Sequence, residues 1–219
     1  QGKWKFFHPN GSVMLEGIYR NDKKNGFFKE YDKDGNLVIV EKYLDGLLQE
    51  NVAELAELEV RTEYFPSGRV KIIATYKDEK AEGVRREYNE DGSIAKAYIF
   101  EKGIMRGEGI MDEDGSKEGD WKEYFLNGNL RAQGKYKDNK RIGEWVFYHI
   151  NGNVEQKGSY NDNGHPDAYW QWFYADGMPL REENYYNGVL DGDMIEYSEE
   201  GDTVMFGSYL EGKEEGYWI

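Results

Sequence analysis

Glycine recurs along this chain on a fixed period, and no other feature narrows the fold as much. Gly11, Gly35, Gly68, Gly92, Gly128, Gly152, Gly177 and Gly201 follow one another at intervals of 24, 33, 24, 36, 24, 25 and 24 residues. Self-similarity at a period of roughly 20–50 residues is the signature of stacked repeat units. The unit is 24 residues, with a nine-residue insertion in the second interval and a twelve-residue insertion in the fourth. A second glycine stands nine residues before the first in six of the eight units: Gly2, Gly26, Gly83, Gly119, Gly143 and Gly192.

Two aromatic columns keep the same period. Four residues before the turn glycine stand Phe7, Tyr31, Tyr64, Tyr88, Tyr124, Tyr148, Phe173 and Tyr197. Eight residues after it stand Tyr19, Tyr43, Tyr76, Phe100, Tyr136, Tyr160, Tyr185 and Tyr209. Asn or Asp precedes the glycine in six units (Asn10, Asp34, Asp91, Asn127, Asn151, Asp176), and Pro9 and Pro66 stand one residue earlier. Pro, then Asn or Asp, then Gly fits a type I turn closed by a glycine at positive φ, which is the three-residue hairpin loop. That loop sets the first aromatic column opposite Val13, Leu37, Val70, Ile94, Leu130, Val154, Pro179 and Thr203, a mostly aliphatic column and a favourable cross-strand pairing. A second turn follows each downstream aromatic, marked by Asp45-Gly46, Lys102-Gly103, Asn187-Gly188 and Glu211-Gly212.

Each unit is therefore a β-hairpin. The chain is expected to be all-β: an elongated, curved, single antiparallel sheet of tandem hairpins whose core is a ladder of rings, stabilised by stacked neighbours. Small residues six after the turn glycine (Gly17, Ala74, Gly134, Gly158, Gly207) are places where a ring could lie flat on the backbone. Two segments break the pattern. LLQENVAELAEL, residues 47–58, has helical apolar spacing and is expected to form a short helix. Residues 107–118 lack both aromatic columns and read as a degenerate half repeat, with one turn signal at Asp114-Gly115. The organisation is then 1–46 with two repeats, 47–58 helical, 59–106 with repeats three and four, 107–118 the half repeat, and 119–219 with repeats six to nine plus a partial unit. All belong to one continuous repeat domain.

The pattern resembles the MORN-repeat family, in its bacterial variant of about 24-residue units often labelled antitoxin-like. Gly143-Glu144-Trp145-Val146-Phe147-Tyr148-His149-Ile150-Asn151-Gly152 and Gly158-Ser159-Tyr160-Asn161-Asp162 carry the likeness. The resemblance implies an elongated sheet of hairpins and a scaffold, partner-binding or membrane-associated module, and it brings no catalytic residue.

Composition excludes further classes. The chain has 219 residues, 27 glycines, 18 tyrosines, no cysteine and a net charge of −15. Absence of cysteine removes disulfide frameworks, cysteine-based zinc sites and cysteine nucleophiles. The charge opposes binding to a phosphate backbone or an anionic membrane and points to a protein partner with a basic or neutral surface. His8, His149 and His165 fall in distant units, and no phosphate loop, nucleophile elbow or HExxH occurs. No enzyme activity and no cofactor are expected. Asp32 to Asp34 and Asp112 to Asp114 have alternate acids beside a glycine but lack the distal ligands of a calcium loop, and a hairpin turn explains them more simply.

The tryptophans are the most suggestive binding feature. Seven before the turn glycine stand Trp4, Phe28, Trp121, Trp145 and Trp170, with Arg61, Arg85 and Met194 elsewhere. The parity of this column differs from that of the tyrosine columns, which places it on the other face of the sheet. Trp121, Trp145, Trp170 and Trp172 are the candidate partner-binding stripe. The expected function is a non-enzymatic interaction scaffold or adaptor within a larger assembly. The alternatives are an antitoxin or immunity protein against a basic toxin and a carbohydrate-binding module. A start at Gln1 fits a processed precursor in a secreted, periplasmic or outer-membrane-associated setting, in which case the assembly is one of the bacterial cell envelope, and it equally fits a trimmed cytoplasmic chain.

Overall fold

A computed structural model describes residues 2–31, 33, 37–48, 59–112 and 115–219. Every regular element among them is a β-strand. The chain divides into two compact units, residues 1–61 with 75–80 and residues 62–74 with 81–219. β1 (Gly2–Phe7), β2 (Val13–Arg20), β3 (Lys23–Tyr31), β4 (Leu37–Leu44) and β5 (Leu47–Leu48) form a five-stranded sheet in sequence order. A second ladder of fifteen strands begins with β6 (Glu59–Tyr64), β7 (Val70–Lys77), β8 (Lys80–Ala81), β9 (Gly83–Tyr88), β10 (Ile94–Glu101), β11 (Ile104–Met111) and β12 (Lys117–Tyr124). It continues with β13 (Leu130–Lys137), β14 (Lys140–Tyr148), β15 (Val154–Tyr160), β16 (Pro166–Phe173), β17 (Pro179–Tyr186), β18 (Val189–Tyr197), β19 (Thr203–Leu210) and β20 (Lys213–Glu215). Its first and last strands stand at opposite ends of the order, so it does not close into a barrel. Among the described residues the strands thus form two hydrogen-bonded sheets. The helix expected over 47–58 lies outside the described residues from 49 onward, and Leu47–Leu48 is a strand.

The turn chemistry explains the hairpins. The His149 N–H donates to Asn153 O at 2.8 Å and the Gly152 N–H to His149 O at 2.9 Å, leaving three loop residues. The same pair of bonds closes the turns at Gly11, Gly68, Gly92, Gly128, Gly177 and Gly201. Gly152 takes φ +93°, a conformation that a side chain disfavours. The preceding Asn or Asp serves the turn directly: Asn151 Oδ1 accepts the Asn153 N–H at 3.0 Å, and Asp91 accepts from Ser93 at 2.8 Å. Each loop sets the expected register. Tyr148 is opposite Val154, Tyr124 opposite Leu130, Tyr88 opposite Ile94, Tyr31 opposite Leu37 and Tyr197 opposite Thr203. Most return turns are two-residue loops with both residues at positive φ, as type I′ geometry requires. Asp138-Asn139 (φ 50° and 64°) does this without glycine, whereas Asn187-Gly188 uses one. The β15–β16 turn is instead a three-residue loop, closed by the Asn161 N–H to His165 O and the Gly164 N–H to Asn161 O, each at 2.9 Å.

The half repeat does more than lengthen the array. In β9–β10, Arg85 stands where later units have tryptophan and is directly opposite Tyr98. Tyr98 is opposite Glu108, and Glu108 is opposite Lys122, the neighbour of Trp121. Opposed residues share a face and chain neighbours do not. The column that faces one side in β9–β10 therefore faces the other side from β12 onward. The cause is an odd strand. Among the described residues, 104–116 supply one strand, β11, after which the Gly115 N–H donates back to Asp112 O at 3.0 Å. Every later strand then runs in reverse, so hairpin turns move to the opposite edge. The contacts agree: the Asn139 side chain, in a return turn, donates to Ser116 Oγ beside the Gly115 turn at 3.3 Å.

Candidate interaction surface

The register that pairs Tyr148 with Val154 also pairs Trp145 with Gly158 and Gly143 with Tyr160. The downstream tyrosine and the tryptophan of a unit are thus two positions apart and share a face. Their rings alternate edge to face across the strands: Trp121–Tyr136 at 6.1 Å between centroids, Tyr136–Trp145 at 5.0 Å, Trp145–Tyr160 at 6.5 Å, Tyr160–Trp170 at 5.0 Å and Trp170–Tyr185 at 6.5 Å. Each such contact contributes about 0.5–1.5 kcal/mol beyond area burial. Phe28 does the same between Tyr19 and Tyr43, at 5.3 Å from each.

The small column is the seat for these rings. An ideal Cβ on Gly158 would lie 2.1 Å from the Trp170 ring, on Gly134 2.4 Å from Trp145, on Gly109 2.5 Å from Trp121 and on Gly207 2.2 Å from Trp218. The indole N–H then donates to the carbonyl one residue beyond the seat: Trp170 to Ser159, Trp145 to Lys135 and Trp121 to Ile110, at 2.9–3.0 Å. Trp145 is 0% exposed, Trp121 2% and Trp170 3%.

The expected outward stripe is therefore corrected. Trp121, Trp145 and Trp170 form the interior of the ladder, and Trp172 is half-buried beside Trp170, at 5.9 Å. The parity assignment holds for the upstream column, since Tyr148 accepts a hydrogen bond from Gln133 on the opposite face. It fails for the downstream column, because the hairpin loop sets Tyr160 opposite Gly143.

Charged groups finish the ladder face. Lys117 lies over Trp121 and Tyr136, each at 4.7 Å, and Arg141 over Trp145 at 4.6 Å. Glu123, buried, accepts from the Tyr136 hydroxyl at 2.8 Å and from Arg131 at 2.6 Å, with Lys117 and Arg141 at 3.4 and 3.5 Å. Burial alone would raise its pKa, but the Tyr136 hydrogen bond and the three cations outweigh it and hold the carboxyl below its ordinary range. Burial and the Glu123 charge push the Tyr136 phenol up to about 12. Where a unit has glutamate in place of the glycine seat, the tyrosine two residues on takes its carboxylate: Tyr185 donates to Glu183 at 2.6 Å and Tyr43 to Glu41 at 2.8 Å.

The opposite face carries Lys122, Gln133, Val146, Lys157, Gln171, Glu182, Ile195 and Phe206, paired successively across β12–β19. The upstream aromatics Tyr124, Tyr148 and Tyr197 share it. Tyr124 donates to Glu108 at 2.7 Å, and Glu108 also pairs with Lys96 at 2.7 Å. Along the chain the negative charge concentrates toward the C-terminal end. Residues 162–219 contain 14 acidic residues and two basic ones, a net charge of −12, while residues 1–161 contain 29 and 26. The acidic end also exposes large apolar side chains: Tyr186 (73%), Leu210 (55%), Val189 (45%) and Tyr169 (44%). Tyr186, Asn187, Val189, Asp191 and Glu211 line a shallow depression of about 190 Å³. Sequence reading missed this concentration, although the local count of acids and bases would have revealed it.

Several of the remaining predicted positions have structural partners. His8 and His149, in the same column, each bond a carbonyl of the next unit, Tyr31 O at 2.8 Å and Phe173 O at 2.9 Å. Tyr76 stacks beneath Arg61 at 4.3 Å, while Tyr64 is exposed and Tyr88 half-buried. Tyr209 packs against Trp218 at 5.1 Å. Asp32, Asp34 and Gly35 lie outside the described residues, as do residues 113 and 114. Among the described residues no group of three or more His, Asp or Glu is placed to hold a metal ion.

Comparison with known proteins agrees with the repeat geometry. No curated protein matches the chain. Three solved structures resemble it in part: the GtfA/B complex bound to UDP and GlcNAc (12% identity, 69% of this chain, 24% of that one, TM-score 0.21), accessory secretory proteins 1, 2 and 3 in Streptococcus pneumoniae (15%, 63%, 18%, 0.17), and TcdB2-TccC3 without its hypervariable C-terminal region (12%, 95%, 15%, 0.21). The chain spans a quarter or less of the length of these structures. Residues 1–21, 60–78, 117–138, 141–162 and 166–187 each match the MORN repeat variant, and the chain belongs to the MORN-repeat family.

Proposed function

We propose that this protein is a non-enzymatic scaffold that docks another protein, and that the partner presents a basic surface. MORN repeats are repeat-based interaction modules, which supports the general role. The uneven charge carries the finer reading: residues 162–219 hold −12 of the total −15, beside exposed tyrosine, valine and leucine. Apolar anchors ringed by charge are the anatomy of a protein interface, and a dense negative surface speeds capture of a cationic partner. Glu123 and Glu183, the buried carboxylates, and the half-buried Glu108 are engaged by tyrosine and cationic side chains. That engagement favours structural over acid-base roles.

A toxin-neutralising role is one form of this reading, in which the basic partner is a toxin. A carbohydrate-binding role has less support, since three of the rings that would stack on sugars are covered by the fold. Crosslinking mass spectrometry on the protein isolated from its native host tests the proposal. The expected result is one stoichiometric basic protein, released by salt. Recovery of the protein alone, or with acidic partners insensitive to salt, would overturn it.

A further inference from the structure

The residues that flank the return turns differ from unit to unit. They are Arg20 and Lys23 in the first unit, Leu44 and Leu47 in the second, Glu101 and Ile104 between β10 and β11, and Lys137 and Lys140 between β13 and β14. What sets the C-terminal turns apart is an apolar pair among carboxylates that are unpaired among the described residues. At the same position between β17 and β18 the pair is Tyr186 and Val189, and in the next turn Leu210 stands opposite Lys213. These side chains are exposed, so the fold gains little from the change. Asp191 and Glu211 line the same depression and make no hydrogen bond or ion pair through their carboxylates among the described residues. Residues 162–219 offer only two cations, of which Arg181 is engaged by Glu183 and Glu196.

We propose that the return-turn surface formed by Tyr186, Val189, Leu210, Asp191 and Glu211 is the docking site for a cationic segment of a partner protein that carries an apolar side chain beside its lysines or arginines. This rests on the scaffold reading and locates its contact. Tyr186, Val189 and Leu210 receive the apolar side chain, and the two carboxylates receive the flanking cations. A purely electrostatic ligand would leave the apolar residues unused, and a purely apolar one would leave two carboxylates unpaired at the contact.

The test uses the full chain and labelled peptides alternating Lys with Leu, Lys with Ser, and Glu with Leu, read by fluorescence anisotropy. The Lys-Leu peptide is expected to bind most tightly, about tenfold tighter than Lys-Ser, with the Glu-Leu peptide weakest. Tyr186→Ser and Leu210→Ser should each weaken Lys-Leu binding at least about fivefold while leaving Lys-Ser binding unchanged. Asp191→Asn with Glu211→Gln should flatten its salt dependence. Equal binding of Lys-Leu and Lys-Ser, or variants that bind like the original, would overturn the site. Crosslinks between the native partner and another surface would overturn the site and leave the scaffold reading standing.

Discussion

Replacing Gly158 by alanine isolates the contact on which the sheet depends. The added methyl would lie 2.1 Å from Cδ2 of Trp170, 2.4 Å from Cε2 and 2.5 Å from Cγ. Carbon atoms rest at about 3.5–4.0 Å, so the ring must lift by more than about 1 Å. Overpacking of this kind costs about 1–3 kcal/mol. Losing the indole bond to Ser159 O, 3.0 Å long, adds about 0.5–1.5 kcal/mol. A total of about 2–4 kcal/mol lowers the melting temperature of a chain this size by roughly 5–15 °C. Trp170→Ala alone should cost about 3–5 kcal/mol. With the ring gone, the methyl at Gly158 meets little, so the double variant should resemble Trp170→Ala, with a coupling of about 2 kcal/mol or more. Gly152→Ala is the control. Its φ of +93° makes alanine costly, but nothing lies within 4 Å of the added Cβ, so its effect should add to that of Trp170→Ala. The assay is denaturant unfolding followed by circular dichroism. A Gly158→Ala penalty that persists undiminished without Trp170 would refute the seat.

Other outcomes follow from the polar partners and the backbone. Glu123→Gln should cost about 1–3 kcal/mol near neutral pH, because three cations lose their counter-charge. The folded Glu123 pKa is lowered, so the stabilisation is present above the unfolded value of about 4.3 and lost as pH falls through the folded one; thermal melts of the variant should show a shallower acid limb. Burial and neighbouring carboxylates raise Tyr124, Tyr136 and Tyr169 to about 12. A raised folded pKa gives stability that is complete below about 10, the unfolded value, and lost as pH climbs towards 12; phenolate absorbance should therefore develop late and together with unfolding, and early, reversible titration of all tyrosines would contradict this. Ala168 takes φ +60° where Gly119 and Gly143 take 64° and 61°. Ala168→Gly should then stabilise the protein by about 0.5–1 kcal/mol in the same denaturation assay.

The hairpins were legible because two independent signals meet on one register. The Asn151-Gly152 turn and the facing of Tyr148 by Val154 each imply the other, and local turn chemistry survives any tertiary context. The glycine seats were legible too, since a small residue in a strand signals close approach. The ladder face was misread because both tyrosine columns were assigned one parity. Carrying the register two pairs further, to Gly143 opposite Tyr160, places Tyr160 with Trp145. The reversal at residues 104–116 was hidden for a different reason: a missing half repeat looks like a spacer until its strands are counted. The docking surface left no motif. It is the apolar pair Tyr186 and Val189 set beside Asp191 and Glu211, a grouping visible only once the register brings the neighbouring return turns together.

The ladder tryptophans bind the sheet together, and the proposed partner contact lies elsewhere. Incorporation of 5-fluorotryptophan, with the six fluorine resonances assigned by single Trp→Phe variants, tests this directly. Trp121, Trp145 and Trp170 should show no shift when water is exchanged for deuterium oxide and none when the Lys-Leu peptide is added, while Trp4, half exposed, responds to the solvent. A solvent shift at the three ladder rings, or their perturbation by the peptide, would contradict the account.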